Sequence, residues 1–489
     1  MSQSVSRKNV LLRVKLLKRK LPLRVKLAKN RRVVVLGFDG AELSIIEWLM
    51  NHGMLPNFEY LKKYGLMCRI QSTIPYGSPT AWSSFMTGLE PEEHGVYSFI
   101  SKDGSLETSM KLKGKTVMDI VSRSGGRVIS VNLPMTYPSW KINGLMISWI
   151  PIPLDLNIIE KAVYPSHFIA TLLKIGYCFE PNSLLIYESL CRYVNDIFNV
   201  EKKRVVLLCH LLRNYEYNLF ITVFVGADRL QHIFWKYVEE YLITGEDVKG
   251  YARIVLNYYK FLDRLLGRVM DFLDLNERDV LITLSDHGFG PAYRYVSLSK
   301  VLTDWGFIKP CRYVREILLS EIISPSIFRK FLTKFSKVLS FLPTLRAIKT
   351  KLHFTGIGLV NPKFYKDMTC ARLIDFDSIE ILDEQRREYI LMKLINYLYR
   401  LRDPKTERRI IKYLHLCNVH RTEAPDIIAI PMDGYKFHSF GAKWIKNAQI
   451  YTGTHTPLAM FASSLSKEIP STIVDIAPLI LRILTGKIR

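Results

Sequence analysis

The sequence has no Cys-x-x-Cys pair, and its seven cysteines are scattered without regular spacing. An odd, unpatterned set argues against a disulfide framework and points to a reducing, cytoplasmic setting. No run of about 18 uninterrupted apolar residues occurs, so no transmembrane helix is expected. The N-terminus lacks the apolar stretch of a signal peptide, because its leucines are interleaved with charge from Arg13 to Lys29. Acidic residues are missing altogether from the first 38 positions, which hold twelve lysines and arginines. There is no internal repeat, no low-complexity tract, and no zinc-finger or recognisable RNA-binding motif.

The chain is 489 residues long, beyond the usual domain of about 100–200 residues. Two domains fit that length, and so does one large α/β domain with insertions. Hydrophobic residues at 48% and charged residues at 23% are sufficient for a sizeable core and exclude wholesale disorder. The net charge of +24 attracts anions: a phosphorylated substrate, nucleic acid or an acidic membrane surface. Charge alone does not choose among them, and without a binding motif nucleic acid is disfavoured.

Four short apolar runs read as buried strands, each leading into a polar loop. Val33–Gly37 runs into Asp39, Arg127–Val131 into Asn132, Asn218–Val225 into Asp228, and Val280–Leu284 into Asp286. Helical patterns separate them, which predicts a mostly parallel sheet with crossover helices. In such sheets ligands sit beyond the carboxyl ends of the strands, where three of these four runs place an Asp. Ala424–Pro431 reads as a further strand, a helical pattern runs from about 385 through Leu401, and Thr472–Pro478 leads into a short final helix.

Two segments differ in texture. After Ser324-Pro325-Ser326, apolar residues from Ile327 to Leu342 recur at helical spacing, with Arg329, Lys330, Lys334 and Lys337 on the other face. This is either an insertion helix packed on the main domain or a basic amphipathic helix on an anionic membrane. Residues 8–32 are either a disordered basic arm or an arm that binds a membrane or polyanion. The expected divisions are a basic arm at 1–32, a catalytic core at 33–305, an insertion at 306–380 and the rest of the core at 381–489. Peripheral attachment through 8–32 and 312–350 is the alternative to a purely cytoplasmic location.

Six residues are candidate metal ligands: Asp39, Asp228, His232, Asp286, His287 and His455. Asp228 and His232 are four apart, so they share a face if Asp228 opens a helix. Asp286 and His287 are adjacent at a strand end, where Gly288 and Gly290 permit sharp turning, and His455 lies in an expected loop. Carboxylate oxygen and imidazole nitrogen suit zinc or a similar first-row ion. Singly, an Asp after a strand is a helix cap and a His is a hydrogen-bonded structural residue. Six together, nearly all at strand ends or in Gly-rich loops of a chain with 11 His, point to a metal centre. Ser78 precedes Pro79 and a helix-compatible run, which makes it either a simple N-cap or a nucleophile near a helix N-terminus that favours phosphoryl oxygens.

Gly37-Phe-Asp-Gly40, Ser78-Pro-Thr-Ala-Trp82 with Thr87-Gly-Leu-Glu-Pro-Glu-Glu-His-Gly95, Asp228-x-x-x-His232, Ser285-Asp-His-Gly288 and Gly453-Thr-His455 occur in one order. That order resembles type I phosphodiesterase/nucleotide pyrophosphatase-like proteins of the alkaline phosphatase superfamily. Asn132–Pro138, Ala424–Ile428 and Asp475–Pro478 also look like the family's microbial members, while 305–380 matches poorly. The resemblance implies an alkaline phosphatase-like sheet flanked by helices, with an inserted cap. It also implies two divalent ions, zinc with manganese or iron as alternatives. Asp39, Asp286, His287 and the Ser78 oxygen would hold one, and Asp228, His232 and His455 the other. Ser78 would be the nucleophile, with Thr80 as fallback, and His94 would buttress the nucleophile loop. Trp82 and Trp235 are expected as core or cleft-wall aromatics.

Two departures narrow this. Nucleotide pyrophosphatases of the family carry an Asn shortly after the His-Gly, where this chain has Phe99. Sulfatases have Cys or Ser before x-Pro-x-Arg, which Ser78–Trp82 lacks. The expected activity is therefore hydrolysis of a phosphorylated small molecule or lipid. A phosphotransferase working between lipid and glycan carriers is the alternative on the same scaffold.

Overall fold

The computed structural model describes residues 21–149, 156–183, 185–275, 278–309, 369–417, 423–438, 443–448, 450–465 and 468–488. The amphipathic pattern of 327–342 and the first twenty residues lie outside this set. Of the basic arm, Leu21, Val25 and Leu27 lie against the core, and the Ala28 N–H donates to the Leu484 carbonyl at 2.8 Å.

Eight strands form the main sheet: β1 (Arg32–Phe38), β2 (Leu66–Gln71), β3 (Val128–Leu133), β4 (Gly144–Ser148), β5 (Val163–Tyr164), β6 (Leu219–Phe224), β7 (Asp279–Leu284) and β16 (Leu458–Ser463). Their order is β2-β16-β7-β1-β6-β3-β4-β5. The five strands from β7 to β4 run parallel, while β16 and β5 are antiparallel to their neighbours. The four apolar runs read from the sequence are β1, β3, β6 and β7. Alternate residues of β1 enter opposite cores, with Val33 and Val35 in one and Val34, Leu36 and Phe38 in the other. A sheet covered by helices on both faces needs such continuous apolar strands. Each of these fully buried side chains contributes about 1.5–3 kcal/mol relative to exposure.

A second sheet, β11-β12-β10-β9, comprises β9 (Ala371–Leu373), β10 (Ser378–Ile381), β11 (Ile411–Leu416) and β12 (Ile427–Pro431). The insertion's expected end near 380 thus falls inside β10, which pairs with β12 through Ile379 and Ile427. The helix expected from about 385 is Arg387–Arg400, packed on this sheet through Ile390, Leu394 and Leu398. A third sheet is centred on β8 (Gly288–Val296), which pairs with β13 (Gly434–Phe437), β14 (Ile445–Asn447) and β15 (Gly453–Thr456). Among the described residues, no helix is long and apolar enough to cross a membrane.

Candidate metal centre and nucleophile

The carboxyl ends of β1, β6 and β7 lie side by side, because β1 pairs with β6 on one edge and β7 on the other. Each strand delivers its Asp to the same place. The Asp39 N–H donates to Phe224 O at 2.9 Å, so Asp39 continues the β1 ladder by one residue. Gly40 then turns with φ of +65°, and its N–H donates to Asp286 Oδ1 at 3.0 Å. A Cβ at Gly40 would lie 3.1 Å from Asp228 Cα, so the turn needs glycine for conformation and for space.

Asp228 is the third residue of the helix Gly226–Thr244, and its N–H donates to Asp39 O at 3.1 Å. His232 follows one turn later. Its Nε2 is 3.3 Å from Asp228 Oδ1, and its Nδ1 faces the Gly453 carbonyl at 3.0 Å. His455 lies on β15, not in a loop, and is registered opposite Phe289 of β8. That register brings His455 Nε2 to 3.1 Å from Asp228 Oδ1 and 3.0 Å from His232 Nε2. The glycines after His287 also serve a purpose other than turning. Gly288 and Gly290 are extended in β8, and a Cβ on Gly288 would sit 2.2 Å from Leu458 O. They allow close approach of strands, not a sharp turn.

On the other side, Asp286 Oδ2 is 3.3 Å from His287 Nε2, and His287 Nε2 is 3.9 Å from Asp39 Oδ1. The His287 and His455 rings stack with centroids 3.7 Å apart, which joins the two halves. Donor atoms of Asp228, His232 and His455 lie within 4.8 Å of one another, as do those of Asp39, Asp228 and His287. Two carboxyls are pushed up from the ordinary range. Burial raises Asp39 well above it, helped by the charges of Asp286 and Asp228, and burial raises Asp286 to about 7. Burial also pushes on Asp228, but His232 and His455 outweigh it and leave that carboxyl well below the range.

The donor set fits divalent ions. His232 Nδ1 and His287 Nδ1 each face a backbone carbonyl, at 3.0 and 3.1 Å, which fixes N–H there and leaves both Nε2 lone pairs turned inward. Two imidazole Nε2 atoms 3.0 Å apart cannot both donate to each other, and the buried Asp286 Oδ2 has no hydrogen-bond partner. Three crowded carboxylates and inward lone pairs are the environment a cation relieves.

Ser78 is the first residue of the helix Ser78–Thr87, whose N-cap is Gly77. The serine therefore does not serve as the cap. Its Oγ lies 3.4 Å from Asp39 Oδ1 and 3.4 Å from His287 Nε2. Thr80 faces inward, and its buried Oγ1 has no hydrogen-bond partner. His94 is buried behind this helix. It accepts from the Val96 N–H at Nδ1 (3.0 Å), which leaves Nε2–H to donate to Ser84 Oγ at 3.0 Å. Burial lowers His94 to about 3, so it stays neutral.

Other residues support the site, and of these Gln231, Tyr259, Glu201 and Lys436 carried no sequence signal. Trp82 is fully buried, and its indole N–H donates to Asp39 Oδ2 at 2.9 Å. Gln231 donates to Gly40 O at 2.7 Å and accepts from the Tyr259 hydroxyl at 2.8 Å; that hydroxyl accepts the Glu42 N–H at 2.8 Å. Glu201 accepts from the Val225 and Gly226 N–H groups at 3.0 and 3.1 Å, and so holds the start of the Asp228 helix. Lys436 on β13 brings Nζ to 3.4 Å from His232 Nδ1, and burial lowers it to about 8. Phe99 packs on Trp149 with ring centroids 4.9 Å apart. Trp235 lies beside Phe289, at 5.6 Å between centroids.

Comparison with known proteins agrees with this architecture. Phosphonoacetate hydrolase from Sinorhizobium meliloti 1021, solved with phosphonoformate, superposes with a TM-score of 0.57 at 12% identity, covering 94% of this chain and 99% of that one. Murine ectonucleotide pyrophosphatase/phosphodiesterase 5, an inactive variant in complex with AMP, gives 0.51 at 13% identity, covering 94% and 96%. At these identities the likeness is one of fold. In sequence, mouse ectonucleotide pyrophosphatase/phosphodiesterase family member 1 is 24% identical over 266 residues, which are 53% of this chain and 24% of that protein. The chain thus spans about a quarter of that relative's length. Residues 33–456 match the profile of type I phosphodiesterase/nucleotide pyrophosphatase. The chain belongs to the type I phosphodiesterase/nucleotide pyrophosphatase family.

Proposed function

We infer that this protein hydrolyses phosphoesters of a small molecule, with Ser78 as nucleophile beside a centre for two divalent ions. The observation that carries the reading is the placement of Ser78 Oγ, 3.4 Å from both Asp39 and His287, at a helix N-terminus that faces the convergent Asp and His residues. Asp39, Asp286 and His287 would hold one ion with the Ser78 oxygen, and Asp228, His232 and His455 the other. Bound there, the ions supply Lewis-acid charge for phosphoryl oxygens.

The chain's own residues account for the rest. The Ser78–Thr87 helix directs its positive end at the incoming phosphoryl group. Ser78 Oγ forms the new P–O bond as the ester oxygen departs, and water then cleaves the phosphoserine to return the serine and release phosphate or a phosphomonoester. Lys436 adds positive charge on the His232 side, where a departing anion would collect. Membership of a phosphodiesterase/pyrophosphatase family favours hydrolysis over transfer between lipid and glycan carriers. The phosphonate hydrolase and the AMP complex among the structural neighbours put phosphonates and nucleotides on the substrate panel. The aromatic Phe99 in place of the expected Asn argues against nucleoside diphosphate bonds as the preferred target.

The test is a panel of phosphomonoesters, phosphodiesters and phosphonates, with a bis-aryl phosphodiester as reference and Ser78→Ala as control. Chelation should abolish turnover, and zinc or manganese should restore it. Absence of turnover by metal-loaded protein on every ester would overturn the hydrolase reading. Full activity in Ser78→Ala would overturn the nucleophile assignment.

A further inference from the structure

A second group of ligand-type side chains shares no residue with this centre. Glu92 sits on the short helix Pro91–His94, directly after the nucleophile helix. His415 belongs to β11, and Cys417 follows two positions later. Cys417 lies one residue past the strand but continues its ladder, its N–H donating to Asp426 O at 3.2 Å, so the alternation that puts residues two apart on one face extends to it. Leu416, between them, is 51% exposed, while Cys417 is 6% exposed. His415 and Cys417 therefore point together at Glu92. One donor atom from each of the three lies within 4.8 Å of the others. His415 Nε2 and Glu92 Oε1 are 3.4 Å apart, long for a charge-assisted hydrogen bond and open enough for an ion between them.

We propose that Glu92, His415 and Cys417 form a separate site for a zinc-type transition-metal ion, which fastens the nucleophile loop to the second sheet. One oxygen, one imidazole nitrogen and one sulfur make a borderline-soft donor set, suited to zinc or cobalt and poorly matched to magnesium or calcium. Three protein ligands leave a tetrahedral ion one position for water. The side chains of His415 and Glu92, 30% and 27% exposed, keep that position in contact with solvent.

The location gives the ion a task. Cys417 packs with Tyr97, Ala424, Ile428 and Ile430, and Ile74 and Tyr76 lie against this group. The cluster therefore joins the segments flanking the Ser78 helix to β11 and β12. His94, two residues from Glu92, holds Ser84 inside that helix. An ion on Glu92 would tie the same short helix to β11 by a second, stronger link.

Cobalt separates the two centres. The candidate active centre offers only oxygen and nitrogen donors, so a thiolate-to-cobalt charge-transfer band in the near ultraviolet reports the Cys417 site alone. The full chain is stripped with chelator and titrated with cobalt(II) chloride. The expected result is a saturable charge-transfer band that disappears in Cys417→Ser, weakens at least about tenfold in affinity in His415→Gln and Glu92→Gln, and persists in Asp228→Asn. Zinc content should fall by one equivalent per chain in Cys417→Ser. If Cys417→Ser fails to fold by circular dichroism, the His415 and Glu92 variants, which keep the thiol, decide the matter. A folded wild-type protein that shows no band overturns the proposal. So does a band that survives Cys417→Ser, or one unaffected by both His415→Gln and Glu92→Gln.

Discussion

The hydrogen bond from Trp82 to Asp39 is the point at which the hydrophobic core touches the candidate metal centre. Trp82→Phe keeps an aromatic ring against Phe85, and removes the indole N–H 2.9 Å from Asp39 Oδ2 together with the outer ring carbons that lie on Gly37. A hydrogen bond to a charged group contributes about 1.5–3 kcal/mol. At 1.36 kcal/mol per factor of ten, losing it should weaken divalent-ion binding by about 10- to 150-fold. Such a loss is in keeping with the effect of groups that orient a ligand without touching the metal. The assay is competition for zinc against a chelating dye, run well below the melting temperature of both proteins. Phosphodiester turnover followed across metal concentration should recover at high metal, because the nucleophile and the other ligands remain. Zinc affinity within twofold of wild type would refute the reasoning, since Asp39 would then hold its orientation without the indole.

Four further predictions test other parts of the structure. Ser78→Ala should lower kcat by on the order of 10⁴-fold. Thr80→Val should leave turnover within about threefold and raise stability by about 1 kcal/mol, because it removes a buried hydroxyl that has no partner; loss of turnover in Thr80→Val instead would exchange their roles. Arg204→Met strips the cation from a fully buried pair, in which Glu201 also holds the start of the Asp228 helix, and should cost about 3–5 kcal/mol in urea unfolding; a cost under about 1 kcal/mol contradicts it. Burial raises Asp375 to about 7, reinforced by Asp377, which burial raises to about 6. The folded protein thus keeps protons that the unfolded chain releases near 3.8, so stability falls as pH rises from about 4 to 7. Asp375→Asn should remove at least about 1 kcal/mol of that fall between pH 5 and 8, and an unchanged slope would show that the pair is not strained.

The central sheet was legible because β1, β3, β6 and β7 are buried on both faces, and continuous Val/Ile/Leu runs betray such strands. The aspartates at their ends were legible for the same reason, since a strand's end fixes where the next side chain goes. Strand order was not, because nothing in Val33–Phe38 records that its neighbours are Leu219–Phe224 and Asp279–Leu284. The strand at His455 was missed because Gly453-Thr-His-Thr is only four residues long and forms through its pairing with β8. The glycines after His287 were misread for a related reason: their value lies in a strand that passes close by, which local sequence does not contain. Gln231, Tyr259 and Glu42 meet across three separate elements, and each alone looks like an ordinary helix or loop residue. Ser78 was ambiguous in sequence between cap and nucleophile; the structure gives the cap to Gly77, one residue earlier.

The position of β1 at the centre of the sheet has a consequence for biosynthesis. Val33 pairs with Leu219 on one side and Val280 on the other. Ribosomes add about 5–20 residues per second. The 246 residues between Val33 and Val280 therefore take roughly 12–50 s to emerge after β1 has left the ribosome. Until Leu219 emerges the run Val33-Val-Val-Leu36 lacks native partners on both hydrogen-bonding edges, and one edge stays unpaired until Val280 follows. The segment that anchors the finished fold is thus its most exposed adhesive during synthesis. The wholly basic segment that precedes it, with twelve positive and no negative charges through Phe38, places mutual repulsion next to that adhesive among chains growing on one message.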